Sequence, residues 1–396
     1  MPPAPWQARP GMEALLRALG GDVGETRFVG GCVRDTLLGL PVSDVDLATR
    51  LGPETVMERL KRARIKAVPT GLAHGTVTAV VAGAPVEVTT LRRDVSTDGR
   101  RATVAFTDDW REDAARRDFT INALSADAKS REVFDYFEGE ADLAARRVRF
   151  IGDALTRIAE DHLRILRFFR FHARFGTGAP DPDGLAACIA RANDLMALSR
   201  ERIADELTKL LALPAPAETA ALMVERGVLR PVLPEIVDAS PLARLVQREA
   251  AAGVAAEAMR RLAALLPPDP EVAAVVAARL RLSKRAAKRL ISAAQPDDGS
   301  PPAILAYRIG RDEAVDRILL GRRDPAEAKA LEGWERPRLK LGGGDLIAMG
   351  LSAGPEVART LQALERAWGE AGFAESVETQ RALARAAVDQ ALRARQ

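Results

Sequence analysis

Strand-like and helix-like patterns alternate through the first third of the chain. Apolar residues recur at helical spacing over 53–64, and residues 11–20 predict a short amphipathic helix. Segments rich in valine and threonine, punctuated by glycine and proline, predict four β-strands at 26–31, 43–49, 75–83 and 84–92. Gly83 and Ala84, followed by Pro85, predict a turn that joins the last two strands. A mixed α/β domain of about 150 residues therefore opens the chain.

The pattern changes near residue 154, after which strand signals disappear. Apolar residues then recur with the period of a helix, in runs that end at clusters of proline and glycine. Such breaks occur at 177–184, 213–218, 265–271, 295–302 and 341–345. No repeat of fixed period accompanies them. The pattern predicts a long, entirely helical region behind the α/β domain.

Composition narrows the function without deciding it. The chain has 396 residues, of which 47% are hydrophobic and 29% charged, as expected of a globular protein. Its 58 basic and 55 acidic residues leave a net charge of only +3. This excess permits a nucleic-acid partner only if the arginines cluster. Cys32 and Cys188 form neither a disulfide framework nor a zinc pattern, which predicts a reducing cytoplasm. Neither a signal peptide nor a membrane span is predicted.

Two aspartates flank a valine in the predicted strand over 43–49. Residues two apart in a strand share a face, so Asp44 and Asp46 project to one side and Val45 points into the core. Adjacent carboxylates repel each other unless a cation joins them. Mg²⁺ commonly takes one or two carboxylates together with substrate phosphates. A bare pair of this kind also occurs on solvated edge strands, so its interpretation depends on its neighbours.

The neighbouring residues favour a phosphate and metal site. Gly30 and Gly31 follow a predicted strand and open a predicted helix, where backbone can approach a phosphate closely. Arg34 has the fork geometry that grips a triphosphate. Glu87 lies between two valines of another strand and is a candidate third carboxylate. Taken alone, each feature is also typical of an ordinary turn or a solvated strand face.

Two charged segments supply further candidates. Arg117, Asp118 and Asn122 combine side chains that bind phosphate and ribose hydroxyls, although a solvated helix face has similar composition. Over 159–176 the sequence predicts a helix with charged residues at i+3 spacing, namely Asp161, Arg164, Arg167 and Arg170, of which the first three lie on one side. Aspartate accepts from an exocyclic amine and arginine donates to base acceptors, so Asp161 and Arg164 are candidates for reading a nucleobase edge.

Together these segments carry a family resemblance. The chain resembles the class II CCA-adding tRNA nucleotidyltransferases and poly(A) polymerases of the DNA polymerase β superfamily. The resemblance rests on five stretches in order, namely GGCVRDTLLGLPVSDVDLAT, RRDFTINAL, DYFEGEADL, EDHLRILRFFRF and SRERIADELTKLL. They extend from residue 30 to residue 211, nearly half the chain. The segment that begins LGGGDLIAMG at residue 341 also resembles the C-terminal region of this family.

The resemblance implies roles for individual residues. The implied catalytic residues are Asp44 and Asp46, which hold the metal ions, and Glu87, which supports them. The implied nucleotide-binding residues are Gly30, Gly31, Arg34, Arg117, Asp118, Asn122, Asp161, Arg164, Arg167 and Arg170. Among these, Asp118 and Asn122 would favour ribose over deoxyribose. Asp161 and Arg164 would act as an amino-acid template for C or A.

The resemblance also implies an architecture and a reaction. The expected fold is an α/β nucleotidyltransferase head, with a polymerase β-like mixed sheet and helices, followed by an all-α neck, body and tail. The head is expected over 1–150, the neck with its base-reading helix over 151–212, and a tRNA-binding body and tail over 213–396. With Mg²⁺, the tRNA 3′-hydroxyl would attack the α-phosphate of CTP or ATP and release pyrophosphate. No membrane and no obligatory protein partner are expected.

Several alternatives to CCA addition stay open. Within the family they are a poly(A) polymerase and a specialist that adds only A or only CC. The stretch over 92–101 lies where the resemblance implies a flexible loop that switches addition from C to A, which favours complete CCA addition. Outside catalysis, the fold could serve a non-catalytic RNA-binding protein. A small-molecule nucleotidyltransferase would share the aspartate pair but would not need Asp161 and Arg164.

Overall fold

The computed structural model describes residues 1–97 and 102–394. The chain forms two compact units, Met1–Ala239 and Ser240–Gln396. The first unit contains a sheet and the helices around it, and the regular elements of the second, within its described residues, are all helices. The finer division into head, neck, and body and tail stays a prediction. Among the described residues, no helix has both the length and the apolar character needed to cross a membrane.

A seven-stranded mixed sheet forms the centre of the first unit, in the order β3-β4-β5-β2-β1-β8-β9. The strands of the first unit are β1 (Thr26–Val29), β2 (Asp46–Thr49), β3 (Lys66–Gly71), β4 (Thr76–Val81), β5 (Ala84–Thr90), β6 (Arg92–Thr97), β7 (Ala102–Phe106), β8 (Ser125–Asp127) and β9 (Val133–Phe134). β2 and β5 pair in parallel, whereas the other pairs are antiparallel. This parallel pair brings two strands that are distant in sequence side by side.

The four predicted strands are present, with local differences. The strand predicted over 43–49 begins only at Asp46, so Asp44 precedes it. The hairpin turn lies one residue earlier than predicted, because Ala82 and Gly83 both have positive φ, at 49° and 78°. The sequence analysis did not predict β3, β6, β7, β8 or β9. β6 and β7 form a separate hairpin. The predicted switching loop over 92–101 therefore begins as a strand, and residues 98–101 lie outside the described residues.

Helices surround the sheet and continue beyond it. In the first unit they are α1 (Met12–Ala18), α2 (Gly31–Leu37), α3 (Pro53–Arg62), α4 (Trp110–Ala115), α5 (Gly139–Ala144), α6 (Ala154–Glu160), α7 (Arg164–Phe175), α8 (Pro182–Ala190), α9 (Arg200–Leu211) and α10 (Ala217–Glu225), with 3₁₀ turns at Pro5–Ala8, Gly21–Val23, Leu72–His74, Thr120–Asn122 and Ala192–Ala197. As predicted, no strand follows residue 154 in the described part of the chain.

An aromatic cluster ties α7 to the end of the sheet region. The Phe119 ring lies 5.0 Å from that of Phe150 and 5.1 Å from that of Phe171, measured between centroids. The rings of Phe150 and Phe168 stack at 5.5 Å. Each such pair contributes about 1 kcal/mol beyond the burial of its area. The cluster therefore holds α7 against the segment that contains Asp118 and Asn122.

The second unit is a helical array around its own core. Its helices are α11 (Ser240–Ala252), α12 (Ala258–Leu265), α13 (Pro270–Arg279), α14 (Lys284–Ala293), α15 (Pro302–Ile309), α16 (Arg311–Leu320), α17 (Pro325–Lys329), α18 (Gly343–Ala348), α19 (Pro355–Glu370) and α20 (Val377–Arg393). A buried ion network links three of them: Arg260 donates to Glu249 at 2.8 Å and to Asp316 at 3.0 Å. Because all three side chains are buried, each charge needs its partner.

Candidate active site

Two acidic residues meet on the parallel strands at the centre of the sheet. Asp46 is the first residue of β2 and stands directly opposite Glu87 of β5. Val45, Val86 and Val88 are buried, so the alternation predicted for both strands is present. Asp44 lies just ahead of β2, is exposed, and accepts a hydrogen bond from the Ser43 hydroxyl at 2.8 Å.

The electrostatics of this pair favour a bound cation. Burial, together with the charges of Glu87 and Asp44 and against that of Arg117, raises the pKa of Asp46 to about 6. Asp46 therefore lies in a field of excess negative charge. Within residues 1–97 and 102–394, no three acidic, histidine or cysteine side chains are placed to hold a metal ion by themselves. Two carboxylates completed by substrate phosphates match the coordination that Mg²⁺ prefers.

A strained glycine turn leads from β1 into α2. Gly30 has φ 67° and ψ −124°, a conformation that is essentially restricted to glycine. Its N–H donates to the carbonyl of Leu124 at 3.0 Å. A Cβ atom at Gly30 would lie 3.0 Å from the Arg117 guanidinium. The turn thus brings bare backbone against an arginine that also acts electrostatically on Asp46.

Replacing Gly30 with alanine is expected to impair both stability and nucleotide incorporation. The alanine would force an unfavourable backbone conformation, which costs about 1–3 kcal/mol, and would displace Arg117. Gly52→Ala is the matched control, because Gly52 lies outside the candidate site, has φ −63°, and an added Cβ would meet only the Glu54 side chain at 3.8 Å. Denaturant unfolding and incorporation assays on both variants test this. Equal effects of the two substitutions would contradict it.

A chain of buried polar side chains extends from α2 to α7. Arg34 donates to the Asn122 carboxamide oxygen, and the Asn122 amide donates to Asp118 at 2.8 Å. Asp118 also accepts two hydrogen bonds from Arg167, at 2.5 and 2.7 Å. Burial would raise the pKa of Asp118, but Arg167 and Asn122 outweigh it and the pKa is lowered. The structure therefore brings these four predicted residues together in one network.

Arg34 is more buried than a side chain that is free to bind a phosphate. It is 6% exposed, donates to Asp35 at 2.7 Å and lies over the Phe175 ring at 4.1 Å. Burial lowers its pKa, whereas Asp35 opposes that shift. Arg117, by contrast, is half-buried and pairs with Asp113 at 3.2 Å. Of the two arginines, Arg117 is the one whose charge lowers the pKa of Asp46.

The predicted base-reading residues are arranged differently from the expected continuous helix. α6 ends at Glu160 and α7 begins at Arg164, so Asp161 lies between two helices in extended backbone. Arg164 is buried and donates to the carbonyls of Arg157 and Arg116, both at 2.9 Å. The prediction of one helix through Asp161 is therefore wrong. Because of this break, Asp161 and Arg164 are not related by the i+3 spacing of a single helix.

Three residues that contact candidate site residues or support the turn that carries one of them were not singled out by the sequence analysis. Arg202 and Glu206 of α9 pair with Asp161 and Arg170, respectively. Asp142 is fully buried and accepts from the Thr120 hydroxyl at 2.6 Å, which supports the turn that carries Asn122. All three lie in quoted stretches, but a charged residue at helical spacing has the same local pattern whether it is solvated or buried.

Known proteins with similar sequences and structures provide an independent comparison. The family described as "Poly A polymerase head domain" matches residues 26–149, and "Probable RNA and SrmB- binding site of polymerase A" matches 179–239. The chain is 34% identical to the mitochondrial CCA tRNA nucleotidyltransferase 1 of Mus musculus, over 92% of this chain and 87% of the relative. It is 33% identical to a CCA-adding enzyme of Limosilactobacillus fermentum, over 90% and 91%.

A solved structure shows the same similarity over the whole chain. The crystal structure of the Bacillus stearothermophilus CCA-adding enzyme in complex with CTP superposes with a TM-score of 0.71. It is 27% identical in sequence, and the superposition covers 98% of this chain and 99% of that one.

Proposed function

Because the chain belongs to the family of CCA-adding tRNA nucleotidyltransferases and poly(A) polymerases, we propose that it adds or repairs the 3′-terminal CCA of tRNA, using CTP and ATP and releasing pyrophosphate. The observation that carries this proposal is the pairing of Asp46 with Glu87 beside the Gly30 turn and Arg117. This arrangement brings together negative charge for a metal ion, accessible backbone for the phosphates and the positive charge of Arg117. A nucleoside triphosphate with its metal requires all three.

Asp44 and Asp46 would hold the divalent metal, with Glu87 in support, and Mg²⁺ is the ion that fits this oxygen donor set. When bound, the metal supplies charge stabilisation to the attacking and leaving oxygens. The raised pKa of Asp46 supports this assignment, since its carboxylate lies close to negative charge that a cation would offset. Asp44 is exposed, and its charge acts on Asp46.

The remaining residues would bind and orient the nucleotide. The turn at Gly30 and Gly31 and the cations Arg34 and Arg117 would contact its phosphates. Asp118 and Asn122 would recognise the ribose, and Asp161 and Arg164 the base edge, with Arg167 and Arg170 in support. Catalysis would consist of holding the tRNA 3′-hydroxyl in line with the α-phosphate while donors stabilise the developing charge. No covalent intermediate is required.

The proposal extends to the rest of the chain. The head, 1–150, would carry the chemistry, the neck, 151–212, the base reading, and the body and tail, 213–396, the binding of tRNA. Cys32 and Cys188 are buried and free, which accords with the cytoplasm proposed from the sequence. The animal relatives are named as mitochondrial enzymes.

The test is incorporation of labelled CTP into a tRNA that lacks CCA, with pyrophosphate release measured in the same reaction. Incorporation is expected with Mg²⁺ and is expected to stop when a chelator removes it. Asp44→Ala should abolish incorporation while the far-UV spectrum and unfolding midpoint stay at their wild-type values, because Asp44 is exposed. Wild-type activity in this variant would contradict the metal assignment.

A further inference from the structure

Helix α9 (Arg200–Leu211) packs along α7 (Arg164–Phe175), the helix that carries the arginines of the candidate base-reading surface. Arg202 and Glu206 of α9 are four residues apart, so they lie on the same face of that helix. Both side chains point to residues already assigned to nucleotide selection, one at each end of the surface.

Arg202 holds the acidic end of this surface. Its Nη2 atom donates to both carboxylate oxygens of Asp161, at 2.8 and 3.1 Å. Asp161 lies in extended backbone, and in the described part of the chain its carboxylate otherwise accepts only the N–H of Leu163, at 3.1 Å. An ionised carboxylate has about four acceptor positions. Arg202 and Leu163 therefore fix the orientation of the carboxylate and leave acceptor capacity for a ligand.

Glu206 holds the basic end. It is 3% exposed, and it accepts from the Nε of Arg170 at 2.6 Å and lies 3.7 Å from the Nη1 of Arg167. Burial would lower the pKa of Arg167, but the charges of Asp118 and Glu206 outweigh it and the pKa is raised. Arg167 is thus held between Asp118 and Glu206, and Arg170 is held by Glu206.

We propose that Arg202 and Glu206 are positioning residues for nucleotide selection, with the arginine orienting Asp161 and the glutamate orienting Arg167 and Arg170. This inference rests on the proposed function. C and A each present an exocyclic amine where U and G present a carbonyl oxygen, so a carboxylate held in one orientation favours C and A. α9 lies in the segment that matches a probable RNA-binding family. The face of α9 that carries Arg202 and Glu206 instead contacts residues of the candidate selection site.

The experiment measures kcat/KM separately for each nucleotide on a tRNA that lacks CCA and on one that ends in CC. Arg202→Gln removes the cation whose Nη2 bridges both oxygens of Asp161. Glu206→Gln removes the charge and one of the two acceptor oxygens while it retains the volume. Asp205→Asn is the matched control, because Asp205 lies on the same helix in an exposed pair with Lys209. Unfolding midpoints are measured for all three variants.

For Arg202→Gln, we expect the preference for C over U on the first tRNA, and for A over G on the second, to fall about tenfold or more. Glu206→Gln should raise KM for the correct nucleotide more than it lowers kcat, and Glu206→Asp should restore part of the effect. The control should retain wild-type selectivity. Equal losses for correct and incorrect nucleotides in folded variants would overturn the inference, because that pattern indicates a merely structural role. No addition of C or A by the wild-type enzyme would instead overturn the proposed function.

Discussion

Replacing Asp46 with asparagine is expected to abolish nucleotide incorporation and, at pH 7, to make the protein more stable. Loss of one metal-binding carboxylate should reduce incorporation by about 10³-fold or more, because a bound metal supplies several kcal/mol to the transition state. Stability should rise while incorporation falls, because Asp46 is held among negative charges for its function, and this arrangement destabilises the fold.

The sign of the stability change follows from the pKa of Asp46. Burial, with Glu87 and Asp44, raises this pKa from 3.8 to about 6, so the folded chain holds the proton more tightly than the unfolded chain. The resulting stability is complete below the unfolded pKa and is lost as pH rises through about 6. At pH 7 without metal, asparagine relieves a charge penalty of about 1–3 kcal/mol.

Denaturant unfolding in metal-free buffer at pH 7 and near the unfolded pKa of 3.8 measures this effect. The gain in the free energy of unfolding should be present at pH 7 and should largely disappear at the lower pH, where the wild-type carboxyl is protonated. Asp44→Asn is the control. It should lose incorporation to the same extent, because Asp44 is also proposed to hold the metal, but it should gain almost no stability, because its side chain is exposed. A destabilised Asp46→Asn protein at pH 7 would contradict the account.

Replacing Asp161 with alanine is expected to relax the choice of nucleotide. The variant lacks the acceptor for the exocyclic amine of C and A, and it also releases Arg202, whose positive charge would then face the base. Each good polar contact to a base edge contributes about 1–3 kcal/mol of discrimination. The preference for C and A over U and G should therefore fall by about ten- to a hundredfold. The partly exposed ion pair with Arg202 contributes less than about 1 kcal/mol to folding.

Competition between the four nucleoside triphosphates, with sequenced products, tests this prediction. Asp205→Ala provides the control, since it removes an exposed aspartate from the neighbouring helix α9 and should leave the product sequence unchanged. A folded Asp161→Ala enzyme that adds nucleotides with wild-type selectivity would rule out the reading of the base edge by Asp161.

Local patterns predicted those parts of the fold that depend on local contacts. Alternation placed Glu87 between two buried valines, and it placed Val45 in the core between Asp44 and Asp46. β8 and β9 have only three and two residues, too few for a period of two to be recognised. β3 contains Pro69 and is mostly exposed at the edge of the sheet, so it lacks the alternation of a half-buried strand.

The site depends on contacts that are distant in sequence, which local spacing does not predict. Arg202 and Asp161 are 41 residues apart, and Arg170 and Glu206 are 36 apart. The i+3 spacing from Asp161 predicted a single helix, whereas the Asp161 side chain accepts the N–H of Leu163 and helps end one helix before the next begins. The family resemblance identified the candidate residues, and only the structure shows how they are held.

The most direct test of CCA addition uses three purified tRNAs that end before CCA, after the first C and after CC. Each is incubated with Mg²⁺ and CTP, ATP or both, and the 3′ ends are sequenced. The account predicts that each tRNA is completed to CCA, one nucleotide at a time, and that addition then stops. A long A tract, a single A added only to the third tRNA, or addition that always ends at CC would identify another specificity within the family. Absence of any incorporation would contradict the account entirely.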